Sequence, residues 1–258
     1  MRFKVRASLN YQFAGPCEVL LLLEAATGDD QRVSGESLII SSNPMITRID
    51  DPQGGERRAV FVAQDWVQVD YSAEIAVAER DTLLKGASAV PVAQLPPEVL
   101  RHLRPSRYCP SDRFERFVNR QFGDSVGGDR VDAILDWIAE NIDYVSAVSD
   151  GGTTALDTFV DRAGVCRDFT HLAISLCRAS QIPARAVSGY GWRLQPPDMH
   201  AVLEVFVGGA WRLADPTRKV LPREFVRVAT GRDAADIAFM TIFGTAQLVE
   251  QSFDIALI

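Results

Sequence analysis

Polar and apolar residues alternate through the first third of the chain. Phe3, Val5, Ala7 and Leu9 occupy every second position, and Val67, Val69, Tyr71, Ala73, Ile75 and Val77 form the longest run of this kind. A period of two puts the apolar set on one face of a strand. Short apolar runs at 19–23 and 37–40 add further strands. Turn-forming clusters separate them at Thr27-Gly28-Asp29-Asp30 and Asp50-Asp51-Pro52-Gln53-Gly54-Gly55. Residues 1–78 are therefore expected to form a small antiparallel β-sandwich. Residues 79–110 carry Pro91, Pro96, Pro97, Pro105 and Pro110 and leave room for one short helix at 98–104. They read as a linker laid over the next domain, residues 111–258.

From there the period changes to that of a helix. Ser111 or Asp112 is placed to cap a helix over 113–122, and Asp129 to cap one whose buried stripe is Val131, Ile134, Leu135 and Ile138. A loop at 146–153 contains Gly151-Gly152. Thr154 with Asp157 resembles a capping box opening a short helix through Leu156, Phe159 and Val160. Phe169, Leu172, Ala173, Leu176 and Cys177 then recur at i, i+3, i+4, i+7 and i+8, a helix packed along one face and stopped at Gln181-Ile182-Pro183. Past Pro183 strands return at 184–192, 200–207 and 211–215. Gly208-Gly209 marks a hairpin between the last two. A two-residue loop there sets Val207 opposite Ala210, Phe206 opposite Trp211, Glu204 opposite Leu213 and Val202 opposite Asp215. In that register His200 and Asp215 project from one face as diagonal neighbours, and a slip of one residue would part them.

Cys166 opens the helix that begins after Gly164, near the edge of its apolar face. Unpaired N–H groups and the macrodipole at a helix start favour a thiolate, the reactive form of cysteine. His171 falls on nearly the opposite side of that helix, so the base is expected from His200. Three roles of covalent acyl transfer are thereby filled: Cys166 as nucleophile, His200 as the base that returns the proton to the leaving amine, and Asp215 as the carboxylate orienting the imidazole. The Cys166 backbone N–H is the natural first oxyanion donor, with the Tyr144 hydroxyl or a nearby backbone amide as the second. Tyr190 and Trp192 alternate on one strand, where they either line a cleft or fill the core. Glu204 shares the His200 face and is either a substrate contact or an exposed cross-strand residue. Arg167 and Asp168 bear on the electrostatics at Cys166. His171 is expected to make a structural hydrogen bond, and His102 to be solvated on the linker helix.

Composition narrows the classes. The 258 residues are 47% hydrophobic and 24% charged, ordinary for a soluble globular protein able to bury a core. A formal net charge of -7 speaks against nucleic acid or an anionic membrane as partner. Cys17, Cys109, Cys166 and Cys177 have neither paired nor metal-type spacing, and the three histidines are scattered, so no metal, cofactor or disulfide is expected. Cys177 reads as a core thiol, and Cys17 and Cys109, each beside a proline, as loop or strand-end residues. No apolar run approaches the roughly 18 residues of a membrane span, and the first residues alternate instead of leading into an apolar stretch. A cytoplasmic location is expected, with the oligomeric state open.

The ordered motifs Gly164-Val165-Cys166-Arg167-Asp168-Phe169-Thr170-His171-Leu172, Ile182-Pro183-Ala184-Arg185 with Gly189-Tyr190, His200-Ala201 with Glu204, and Asp215-Pro216-Thr217 resemble the core of the bacterial transglutaminase-like superfamily. The resemblance covers residues 110–220. It implies an α+β fold: a papain-like core of helices packed on an antiparallel sheet, behind an N-terminal antiparallel β-sandwich. It also implies a Cys-His-Asp triad at Cys166, His200 and Asp215. Many relatives have Trp two residues after the histidine; this chain has Val202. The expected activity is that of a cysteine-dependent hydrolase or acyltransferase on amide bonds through a thioester acyl-enzyme, a peptidase or amidase with a peptide or protein substrate. The rivals are protein crosslinking, an arylamine-type acetyl transfer, and a catalytically silent peptide-binding module.

Overall fold

The computed structural model describes residues 1–41, 43–50 and 55–258, so most of the turn cluster expected at 50–55 lies outside the described residues. Six strands come first: β1 (Arg2–Phe13), β2 (Cys17–Leu21), β3 (Gln31–Ile40), β4 (Thr47–Asp50), β5 (Arg57–Ala63) and β6 (Trp66–Val77). The helices α1 (Pro97–Leu100), α2 (Glu115–Phe122) and α3 (Gly127–Asn141) follow. Next come β7 (Asp143–Tyr144), α4 (Ala155–Asp161), β8 (Ala163–Gly164) and α5 (Cys166–Ala179). The chain ends with β9 (Ala184–Gly191), β10 (Met199–Val207), β11 (Ala210–Ala214), β12 (Phe225–Gly231), α6 (Ala234–Ile237), β13 (Met240–Ile242) and β14 (Ala246–Leu257).

Alternation makes the first two sheets. Phe3, Val5, Ala7, Leu9, Tyr11 and Phe13 of β1 are buried, as are Val67, Val69, Tyr71, Ala73, Ile75 and Val77 of β6. β1 lies antiparallel to β6 with Val5 opposite Ala73. The strand orders are β14-β1-β6-β3 and β13-β2-β5-β4. The sandwich thus takes its outer strands from the far end of the chain, Phe3 opposite Leu257 and Met240 opposite Leu21. Residues 240–257, grouped by the sequence with the domain after 110, close the edges of the N-terminal sheets. β14 thereby becomes the outer strand on that side of the sheet, and β1, whose apolar face is buried, is paired on both sides.

The third sheet, β11-β10-β9-β12, carries α5 on its surface, and all three of its contacts are antiparallel. α5 is more than amphipathic: every residue from Asp168 to Arg178 is buried. Phe169, Leu172, Ile174 and Leu176 are each at most 3% exposed, and burying such side chains is worth about 1.5–3 kcal/mol apiece. Buried Arg178 anchors the linker to this helix: its guanidinium donates to the Ala184, Arg104 and Arg232 carbonyls and to Ser106 Oγ.

Helix starts differ in detail from expectation. Thr154 and Asp157 pair as foreseen, the Thr154 N–H donating to Asp157 Oδ2 at 2.8 Å. Asp129 does not cap α3, which begins at Gly127; it lies in the first turn and accepts the Gly86 N–H at 2.9 Å. Neither Ser111 nor Asp112 caps α2, because both belong to a single 3-10 turn before it. The linker holds α1 and a following 3-10 turn in place of one helix. His102 in that turn is not solvated: it is 2% exposed, edge-on to Trp211, and burial pushes it down to about 3, so it is neutral. Among the described residues no helix is long and apolar enough to cross a membrane.

Candidate active site

The hairpin register is the one the glycine pair dictates. Val207 stands opposite Ala210, Phe206 opposite Trp211 and Glu204 opposite Leu213. β11 ends at Ala214, and the next residue turns its carboxylate to His200: Nε2 lies 2.9 Å from Asp215 Oδ2. Both side chains are buried. Opposite His200 on β9 is Gly189, where a Cβ would strike the Val226 carbonyl and the Phe225 ring, so only glycine lets β12 pack this close.

Asp215 is fixed by its own loop. Oδ1 accepts the Thr217 N–H and the Thr217 hydroxyl, each at 2.8 Å; Oδ2 accepts the Val220 N–H at 2.9 Å and the Lys219 N–H at 3.1 Å. Burial alone would raise Asp215, but the hydrogen bond and charge of His200, helped by Thr217, hold it below the usual carboxylate range. For His200, burial alone would push the imidazole down. The hydrogen bond with Asp215, the neighbouring Cys166 thiol and the charges of both override it and raise His200 to about 9. Since Asp215 and Thr217 occupy Nε2, Nδ1 is the nitrogen left for the thiol.

Cys166 is the first residue of α5 and half-buried. A carboxylate sets the entry into that helix: Asp168, fully buried, accepts the Val165 N–H at 2.9 Å and the Ser149 hydroxyl through Oδ2, while Oδ1 meets the Arg167 guanidinium at 3.2 Å. Arg167 also donates to the Asp150 carbonyl at 2.6 Å. These bonds clasp the loop at 146–153 to the helix start. Gly164 permits the clasp, since a Cβ there would lie 2.7 Å from Asp168 Cβ. Tyr144 lies beside Cys166; burial above all, then the charge of Cys166, pushes its phenol up to about 12, and the Lys219 ammonium sits 3.0 Å from its ring centroid. The phenol is thus a neutral O–H donor next to the sulfur and the start of α5.

The other candidates lie elsewhere. Tyr190 is fully buried and donates its hydroxyl to the Leu23 carbonyl at 2.5 Å, stacked on Tyr71; it bolts the third sheet to the sandwich. Trp192 packs on Phe3 under the Arg193 guanidinium. Glu204 is neither exposed nor a cleft residue: 3% exposed, it is paired with Arg185 at 2.6 Å and Arg227 at 3.2 Å. His171 accepts the Ala234 N–H at 3.1 Å and stacks on Tyr108.

A cleft of about 470 Å³ opens from Cys166 and His200 along α6 and the start of β10. Its walls come from places the sequence did not single out: Tyr108 from the linker, Ile237 to Met240 after β12, and Gln251 of β14. Thr217 was legible in part. An aspartate whose oxygen takes the N–H two residues on is an Asx turn, and Asp215-Pro216-Thr217 has the spacing for one. Among the described residues no group of three or more His, Cys, Asp or Glu is placed to hold a metal ion.

Residues 116–216 match the model of the transglutaminase-like superfamily. A crystal structure of a Cytophaga hutchinsonii protein called a putative cysteine protease superposes with a TM-score of 0.92 at 37% identity, over 99% of this chain and 90% of that one. An uncharacterised protein of Mycobacterium leprae is 30% identical over 149 residues, 53% of this chain and 52% of its own length. One of Mycobacterium tuberculosis is 30% identical over 114 residues, 36% of each. The chain therefore spans about half the length, or less, of these two curated relatives.

Proposed function

The chain belongs to the transglutaminase-like superfamily, and from that premise we propose that it is a cysteine-dependent hydrolase of amide bonds, a peptidase or amidase working through a thioester. One observation carries the reading: His200 is held by Asp215 at 2.9 Å through Nε2, which leaves its other nitrogen to Cys166.

The roles follow from that order. Cys166 Sγ attacks the scissile carbonyl carbon and its proton passes to His200 Nδ1. The tetrahedral oxyanion is met by the Cys166 backbone N–H at the positive end of α5 and by the Tyr144 O–H. The C–N bond breaks as the imidazolium gives its proton to the leaving amine. Water then adds to the thioester carbonyl with His200 again as base, releasing the carboxylic acid and the thiol. Asp215 stays ionised throughout, since every hydrogen bond to it comes from a donor.

The test is single-turnover mass spectrometry with activated amide and ester substrates. Wild type gains the acyl mass on Cys166 and loses it with time. Cys166→Ala gains none and turns nothing over, while keeping its fold, because a half-buried thiol removed leaves little cavity. Full turnover by the purified variant contradicts the reading.

A further inference from the structure

Asp198 stands two residues before His200 and shares the cleft with it and with Cys166. Its carboxylate accepts one hydrogen bond, from the neighbouring Met199 N–H at 2.7 Å. Among the described residues no Arg, Lys or His lies within ion-pair distance of it, although the cations around the cleft are several. Each is engaged elsewhere: Arg167 with Asp168 and the Asp150 carbonyl, His200 with Asp215, and Lys219 over the Tyr144 ring. With one proton shared between Cys166 and His200, the site keeps a net negative charge whichever of them holds it, and Asp198 is the carboxylate with no counter-ion. A second polar group is also unspent. Ser188, opposite Ala201 on β9, is one of the residues lining the cleft, and its hydroxyl is buried behind that wall with no partner among the described residues. Between these groups the walls are apolar, from Ala201, Ile237, Phe239 and Met240.

We propose that this cleft is a substrate subsite selective for a positively charged group on an apolar stem, with Asp198 as the residue that determines the charge preference and Ser188 Oγ as a neutral acceptor deeper in. The inference rests on the reading of Cys166 as nucleophile and adds the class of substrate. A long side chain ending in guanidinium or ammonium fits both features, its methylenes on the apolar wall and its charge at the carboxylate. Asp198 is exposed in the cleft, so an arriving cation meets a carboxylate whose charge no described residue of the chain has already paired. The preference at Asp198 is for charge, so a cation with no N–H also reports it.

That point supplies a test independent of turnover. The full-length protein is treated with three methanethiosulfonates, carrying trimethylammonioethyl, methyl or sulfonatoethyl groups. In each case the Cys166 sulfur forms a disulfide and methanesulfinate leaves. Rates are read at the Cys166 peptide by mass spectrometry, at low and high salt. The expected order is cationic, neutral, anionic, and in Asp198→Asn the cationic-to-neutral ratio drops about fivefold, as it does on adding salt to the wild type. Brisk neutral labelling with no cationic preference, or a preference that survives in Asp198→Asn, overturns the subsite while leaving the nucleophile standing. Neutral labelling no faster than that of a free cysteine in solution overturns the nucleophile, and the subsite with it.

Discussion

Asp215→Asn changes one carboxylate oxygen to NH2 at constant size, at a point where five hydrogen bonds converge. Oδ2 receives His200 Nε2 and the Lys219 and Val220 N–H groups; Oδ1 receives the N–H and hydroxyl of Thr217. An amide cannot satisfy all five. With its NH2 toward His200 it opposes two backbone N–H groups and forces the imidazole proton onto Nδ1, where the thiol proton has to go. Turned over, it opposes the Thr217 N–H alone and keeps Nε2 protonated, so this orientation wins at a cost of about 1–3 kcal/mol for the buried conflict. The tautomer survives and the charge does not. His200, raised to about 9 beside the carboxylate, is left with burial as its main influence and falls. Losing the group that stabilises the imidazolium lowers kcat by about 10³–10⁴. The raised value has a stability consequence of known sign. His200 binds its proton more tightly folded than unfolded, which contributes about 3 kcal/mol, fully present below the unfolded value of about 6.5 and lost as pH rises through about 9. The assay is urea unfolding against pH, alongside kcat and the NMR titration of His200. The gap between wild type and variant should be widest below pH 6.5 and narrow towards pH 9. A variant within a few-fold of wild-type kcat, with His200 titrating unchanged, would refute the reasoning.

Asp168→Ala leaves the Val165 N–H and the Arg167 guanidinium without their carboxylate, so we expect a loss of about 2–3 kcal/mol in urea unfolding and a misplaced Cys166, seen as a lower kcat. Unchanged stability would mean the loop at 146–153 is held by other bonds. Glu204→Gln unbalances Arg185 and Arg227 in a buried site, an effect of about 3 kcal/mol on unfolding, with KM of the folded protein unaltered. A raised KM with full stability would return Glu204 to the list of substrate contacts.

What the sequence disclosed was local. Strict alternation exposed β1 and β6, the Gly208-Gly209 pair set the hairpin register, and that register brought His200 to Asp215. The return of β14 was hidden because it buries little: Phe253 is its one buried residue, so no period-two pattern marks it. β4 is exposed throughout and hidden for the same reason. Glu204 and His102 read as surface residues because charge and polarity argue for water, yet their partners arrive from distant segments: Arg227 of β12 for one and Trp211 of β11 for the other. The cleft walls suffer likewise, since Tyr108, Phe239 and Gln251 meet only once the chain has folded back on its first strand.

The central claim is that Cys166 and His200 act as one unit. The direct measurement is the rate of iodoacetamide labelling at Cys166 near pH 7, located by mass spectrometry, in wild type and His200→Ala. Labelling much faster than at Cys17, slowed at least about tenfold in the variant, is the predicted result. A Cys166 labelled no faster than Cys17, at a rate indifferent to His200, would contradict the account.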